Sequence, residues 1–134
     1  MRSFKLDIVS PDGSMFSGEA ERLLVRTTDG DVEILAGHTD LFATLGVGRV
    51  KLTTSEGARF ASASGGFLTV KDGAVTLAAI TFEFADAIDA ERAERAKERA
   101  EEAIRTAKDD RALDAAKARL ARAINRINVA NIRR

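Results

Sequence analysis

From Ile88 onward, more than forty residues pass without a glycine or a proline. A stretch of that length, rich in Ala, Arg, Glu and Lys, reads as helix. The half before it is its opposite: short apolar alternations broken by PDG, TDGD, SEG and KDG, the punctuation of strands and turns. One change of hydrophobic period therefore divides the chain, and the hexapeptide IDAERA, residues 88–93, stands on the division. A length of 134 residues leaves room for one small domain with an appendage. The reading is a β + α protein, with an N-terminal antiparallel β-sandwich over residues 1–85 followed by a C-terminal antiparallel two-helix hairpin over residues 86–134.

In the first half, FKLDIV puts Phe4, Leu6 and Ile8 on one face, the period of a half-buried strand. Lys71-Asp72-Gly73 separates two apolar runs, and Asp-Gly there predicts a type I′ hairpin turn. ITFEF alternates Ile80, Phe82 and Phe84 as a last strand. Gly65-Gly66 lacks the strand–loop–helix context of a dinucleotide site and reads as backbone needing positive φ or close packing. The start, MRSFKLDIVSPDG, reads as a strand and not a signal peptide. No apolar run approaches the roughly 18–20 residues of a membrane span, so a soluble protein is expected whose membrane association comes through a partner. Zero cysteines remove disulfides and thiolate zinc sites.

In the second half, Asp86 is placed to cap the first helix, with Asp89 in its positively polarised first turn. Ala93, Ala96, Ala100, Ala103 and Ala107 then recur at steps of three and four. The pattern pauses at TAKDDRA, where Asp109 or Asp110 can cap a second helix bearing Leu113, Ala116, Leu120, Ala123, Ile127 and Ala130. Two such stripes joined by a short polar turn predict an antiparallel hairpin. An alanine contact buries about one methyl, roughly 0.8 kcal/mol, so the helices are individually strong and weakly paired. That suits an arm that folds out; a close-packed alanine coil is the alternative reading.

Residues 1–86 carry eight basic and twelve acidic side chains, and residues 87–134 carry thirteen and nine, so a formal charge of 0 hides an acidic half and a basic half. From Ala115 onward six residues are basic and none is acidic. There is no GxxxxGK(S/T) phosphate loop and nothing spaced like a nucleophile elbow, so no catalytic residue is assigned. His38, the only histidine, reads as a loop hydrogen-bonder and not a metal ligand.

Arg122 and Arg126 share a helix face at i, i+4. If the hairpin turns near residue 108 or 109, Ala93 falls opposite Ile124 and Asp89 opposite Asn128. Arg92, Arg122 and Arg126 then converge beside the first helix's N-terminus, where an anion relieves their repulsion, with Asp89 available for a neutral polar portion of the ligand. Arg99, a turn or two further along, lies outside this expected site. The competing reading pairs these arginines with Glu91, Glu94 and Glu98 as solvated surface pairs of little energetic weight.

VSPDG near the start, ILAGH at 34–38, SGGF at 64–67 and IDAERA at 88–93 occur in the order found in the epsilon subunit of bacterial F-type ATP synthases, which the whole chain resembles. IDAERA matches that family's ATP-binding pattern, Ile/Leu-Asp-x-x-Arg-Ala. The resemblance implies that Asp89, Arg92, Ala93, Arg122 and Arg126 contact ATP as a regulatory ligand without metal, with Glu83 and Ile88 adjoining. It implies a ring-facing loop carrying Asp31, Gly37 and His38, in which Ala36 departs from the family's usual proline and loosens the loop.

It further implies a non-catalytic central-stalk subunit whose sandwich clamps the gamma subunit and rests on the c-ring. The hairpin, when extended, sends a basic helix (Arg119, Arg122, Arg126) toward the acidic beta segment of the alpha/beta catalytic head and blocks ATP hydrolysis. The expected location is the cytoplasmic side of the cell inner membrane, peripheral, through the complex. The alternatives are a coiled-coil adaptor and a basic-helix nucleic-acid-binding module. The second is disfavoured because the tail lacks aromatics for stacking and the interleaved acids repel phosphates, so no nucleic acid is expected as partner.

Overall fold

The computed structural model describes residues 2–132; Arg133 and Arg134, the last two cations of the basic tail, lie outside the described residues. Two compact units divide the chain, Met1–Phe84 and Ala85–Arg134.

The first unit is the β-sandwich. Strands β1 (Phe4–Ser10), β2 (Gly13–Ala20), β3 (Arg22–Thr27), β4 (Gly30–Leu35), β5 (Leu41–Thr44), β6 (Gly48–Thr54), β7 (Gly57–Lys71) and β8 (Ala74–Phe84) follow in order. They pair as β2-β1-β8-β7-β6-β3-β4, with β5 added against β7. Phe4, Leu6 and Ile8 of β1 are buried, as the alternation requires. Lys71 pairs with Ala74 across a two-residue turn, with φ of 50° at Asp72 and 82° at Gly73, both in the left-handed region of a type I′ turn. The pairing departs from a wholly antiparallel sandwich at one place, where β1 and β8 run parallel from Lys5↔Ala74 to Val9↔Ala78. No hairpin joins these two strands, so no turn dictates their direction.

The long β7–β8 ribbon serves both layers. Residues 57–63 of β7 pair with β6, whereas residues 67–70 pair with β5. The ribbon changes layer at Gly65-Gly66, where φ is 70° and 92°. A Cβ on Gly66 would come to 1.9 Å from the Ala78 carbonyl oxygen, so only glycine fits, which matches the need for positive φ and close approach. The change of layer shifts the inward phase of β8. Val75, Leu77 and Ala79 are buried, then Phe82 and Phe84, while Ile80 is 64% exposed. The expectation that Ile80 shares the buried face of Phe82 and Phe84 is therefore corrected. The ribbon's bend, which alternation alone does not show, puts two outward residues, Ile80 and Thr81, in succession.

The second unit is the hairpin. A 3₁₀ turn over Ala85–Ala87 precedes α1 (Ala90–Arg105), and α2 covers Asp110–Ala130. Asp89, and not Asp86, caps α1, accepting the Arg92 N–H at 3.0 Å. Asp86 falls within the 3₁₀ turn and so starts no α-helix. Asp109 caps α2, accepting from the Ala112 N–H at 2.7 Å. Ala93 and Ala100 of α1 and Ala116 and Ala123 of α2 are buried, each pair one heptad apart. Their four methyls correspond to roughly 3 kcal/mol, about a quarter of what leucines would supply at the same positions; Val129 of α2 is buried as well.

Gly66→Ala is expected to lower stability by more than about 3 kcal/mol, from positive φ plus a backbone collision. Gly73→Ala, with nothing within 4 Å of its added Cβ, should cost only about 1–2 kcal/mol from φ alone. Chemical denaturation of the two variants checks the difference; equal losses would mean that the ribbon can bend without Gly66.

Candidate functional site

Helix spacing sets the geometry of the hairpin. Arg119, Arg122 and Arg126 recur at i, i+3 and i+7, so they stand in a row along one flank of α2. On α1, Ala96, Arg99 and Ala100 stand on the flank that faces them across the seam. These six residues line a cavity of about 430 Å³. Its walls are two methyl groups and four guanidiniums, with no carboxylate among the lining residues. Alanine makes this space: a small residue at positions 96 and 100 keeps the helices close while leaving room beside the seam for long side chains.

The four arginines have no acidic partner among the described residues. The one ion pair found there in the hairpin joins Arg105 to Glu102, beyond the cavity. Glu91, Glu94 and Glu98, which the competing reading pairs with Arg92, Arg122 and Arg126, form no ion pair with them. Arg122 and Arg126 are half-buried, while Arg99 and Arg119 are exposed. Four like charges around one opening repel each other, and a polyanion bound among them removes that cost while accepting several forked hydrogen bonds.

Arg122 and Arg126 line the cavity; Arg92 and Ala93 do not. Arg92 is exposed on the first turn of α1 and Ala93 is buried in the seam. Asp89 has one carboxylate oxygen committed to the helix cap. Ile88 is half-buried, its N–H donating to the Ala85 carbonyl at 3.3 Å. Glu83 belongs to the sandwich unit, half-buried on β8 in register with Ser62. Arg99, placed by the spacing argument outside the expected site, is one of the four arginines that line this cavity. The missed signal is its spacing: Arg99 is seven residues after Arg92 and so on the same flank. Arg119, read for its charge alone, also belongs to the cavity.

The residues expected in the ring-facing loop are not neighbours. Asp31 begins β4, where Arg26 Nε donates to it at 2.6 Å. Gly37 (φ 80°) and His38 follow the other end of the strand, beyond the four extended steps, about 13 Å, from Asp31 to Leu35. With alanine at position 36, the segment still closes on itself through His38 N–H to the Leu35 carbonyl at 3.2 Å. The imidazole Nδ1 donates to the Thr39 carbonyl at 2.7 Å, so His38 acts as a loop hydrogen-bonder.

One surface feature of the sandwich was not anticipated. Phe42, 69% exposed, stacks on Phe67 with ring centroids 5.5 Å apart. Phe67 pairs with Ala78, two residues from the exposed Ile80 on the same face of β8. Exposed aromatics stacked on each other beside an isoleucine form an apolar patch of the kind that docks proteins.

Two family models match the chain: the ATP synthase delta/epsilon chain beta-sandwich domain over residues 3–85, and the ATP synthase delta/epsilon chain long alpha-helix domain over residues 86–131. The ATP synthase epsilon chain of Bacillus velezensis is 41% identical over 130 residues, covering 97% of this chain and 98% of that one. The epsilon chain of Bacillus subtilis is 39% identical, again over 97% and 98%. Among solved structures, a chain of the Euglena gracilis mitochondrial ATP synthase superposes with a TM-score of 0.78 at 23% identity, covering 89% of this chain and 76% of that one. A chain of the Tetrahymena thermophila mitochondrial ATP synthase central stalk and c-ring gives 0.72 at 13%, covering 97% and 98%. These two likenesses are of fold.

The caps that aim both helices are open to test. Asp89→Ala is expected to cost about 1 kcal/mol by orphaning the Arg92 N–H, whereas Asp89→Asn retains an acceptor and should cost a few tenths. Helical circular dichroism through a urea titration checks this; an equal effect of the two changes would show that charge and not capping is what matters.

Proposed function

Because this chain belongs to the ATP synthase delta/epsilon family, we propose that its arginine-lined cavity is an ATP-sensing site on a regulatory hairpin. The chain is a non-catalytic subunit of the rotor stalk, as its epsilon-chain relatives indicate. The observation that carries the ATP reading is the set of four arginines, none with an acidic partner among the described residues, around a cavity of about 430 Å³. IDAERA supplies Ile88, Asp89, Arg92 and Ala93 for the base end of the nucleotide. Arg99, Arg122 and Arg126 hold its phosphates, and no metal is required because guanidiniums and not carboxylates face them.

A ligand held from both helices binds only the folded hairpin, since extension separates Arg99 from Arg122 and Arg126. Mass action then sets the scale: ATP at a hundredfold over its Kd adds about 2.7 kcal/mol. That is comparable with the roughly 3 kcal/mol of the four buried seam methyls, to which buried Val129 and half-buried Leu113, Leu120 and Ile127 add, so bound nucleotide shifts the balance of the hairpin toward the folded state. Phosphates also occupy Arg122 and Arg126, two of the cations that the extended helix presents to the acidic beta segment of the catalytic head. Sensing and braking thus compete for the same side chains. The Phe42–Phe67–Ile80 patch is a docking surface suited to the gamma subunit. The end of the sandwich carrying Gly37 and His38 is assigned to the c-ring, and the subunit sits peripherally on the cytoplasmic side of the inner membrane through the complex.

Calorimetric titration of the full chain with ATP in chelator should show binding, weakened about tenfold or more by Arg126→Ala or Arg99→Ala, each of which removes a charge-assisted contact. Arg95, exposed and outside the cavity, is the control, and affinities equal to that of Arg95→Ala would remove ATP from this site. In the assembled enzyme, changing Arg119, Arg122 and Arg126 to alanine should relieve inhibition of hydrolysis while the rotor still assembles. Unaltered hydrolysis would place the brake elsewhere.

A further inference from the structure

The cavity is offset from the motif that suggests it. IDAERA occupies the start of α1, whereas the lining residues extend from Ala96 to Ala100 on α1 and from Arg126 back to Arg119 on α2. In an antiparallel hairpin, Arg99 and Arg119 mark the end nearer the turn, and Arg126 the end nearer IDAERA. Along α2, the seven residues from Arg119 to Arg126 span about 10 Å of helix axis. That row is longer than the run of three phosphorus atoms in a triphosphate. The cavity's volume of about 430 Å³ is also that of a pocket for a whole small ligand, which lies in the range of roughly 300–1,000 Å³. With the base at residues 88–93, as the ATP reading requires, the phosphate chain runs toward the turn and meets Arg126 and Arg122 of α2 first, with Arg119 nearly one helical turn beyond them.

We propose that the turn-proximal end of the cavity, between Arg99 and Arg119, is a separate anion subsite that takes one phosphate-sized group beyond the three of a triphosphate. This rests on the ATP reading of the same cavity. The chemistry is that of a phosphoryl dianion held by two guanidinium forks, one from each helix, with no carboxylate in the lining to oppose it. The group is either the fourth phosphoryl of a nucleoside tetraphosphate or free inorganic phosphate beside a bound triphosphate. Either occupant clasps α1 to α2 at the end of the seam that ATP leaves unbridged.

The test is calorimetric titration of the full chain with ATP and with adenosine 5′-tetraphosphate, in chelator and at constant ionic strength. The tetraphosphate is expected to bind about tenfold more tightly than ATP, the scale of one added pair of charge-assisted contacts. In Arg119→Ala that ratio should fall to near one, and in Arg119→Lys, which keeps the charge and loses the fork, it should lie between. Helical circular dichroism of each variant confirms that the hairpin is intact, as Arg119 is an exposed helix residue. Inorganic phosphate that erodes the tetraphosphate's advantage, relative to chloride at equal ionic strength, identifies free phosphate as an occupant. An undiminished advantage assigns the subsite to the tethered group. A ratio near one in the unmodified chain, or a ratio that Arg119→Ala leaves unchanged, overturns the subsite while leaving ATP binding intact. Absence of ATP binding in the unmodified chain overturns the site as a whole.

Discussion

The proposed regulation rests on the seam between the two helices. Ala93, Ala100, Ala116 and Ala123 are buried in the hairpin together with Val129, and each alanine buries about one methyl. Neither helix needs the other to be helical, because alanine, glutamate, lysine and arginine carry high intrinsic propensity and aspartates 89 and 109 cap the two N-termini. In the proposed switch this pair of helices has a folded and an extended arrangement. A ligand selects between them only by binding one better than the other. The cavity beside the seam meets that requirement because its cations come from both helices.

The same alanines that weaken the seam create the cavity. Larger residues at positions 96 and 100 would strengthen the pairing and fill the space in which Arg99, Arg119, Arg122 and Arg126 face one another. Low packing energy and the arginine-lined cavity are thus two consequences of one choice of side chain. Close spacing of unpaired cations is unfavourable by itself, and the hairpin retains that unfavourable arrangement where an anion is able to relieve it.

The sandwich meets a different constraint. One ribbon of two long strands serves both layers, and it turns from one to the other only where Gly65 and Gly66 adopt positive φ and the Ala78 carbonyl approaches too closely for any Cβ. Ile80 continues the outward alternation of Thr76 and Ala78 on the face of Phe67, and the phase change after it turns Phe82 and Phe84 inward.

Much of this architecture was legible in the chain because it is written in local chemistry. The change of period at IDAERA, the Asp72-Gly73 turn, the alternation of Phe4, Leu6 and Ile8 and the alanine stripes all follow from backbone preference and from which side chains avoid water. The helix pairing was legible too, since a short polar turn between two stripes allows little else. What lay outside the sequence depends on how distant segments meet. The parallel match of β1 with β8 joins strands separated by most of the domain, and no turn encodes it. The opposite burial of Ile80 and Phe82 comes from a phase change at a bend in a two-strand ribbon, which the alternation of one strand does not record. Asp89 displaced Asp86 as the cap because the last strand gives way to a 3₁₀ turn before the helix starts. Arg99 and Arg119 joined Arg122 and Arg126, while Arg92 did not, because the axial register of two packed helices decides which side chains share a space. By itself the sequence determined the elements and the charge they carry; the tertiary structure decided which charges face each other, because register and bending are properties of pairs of elements.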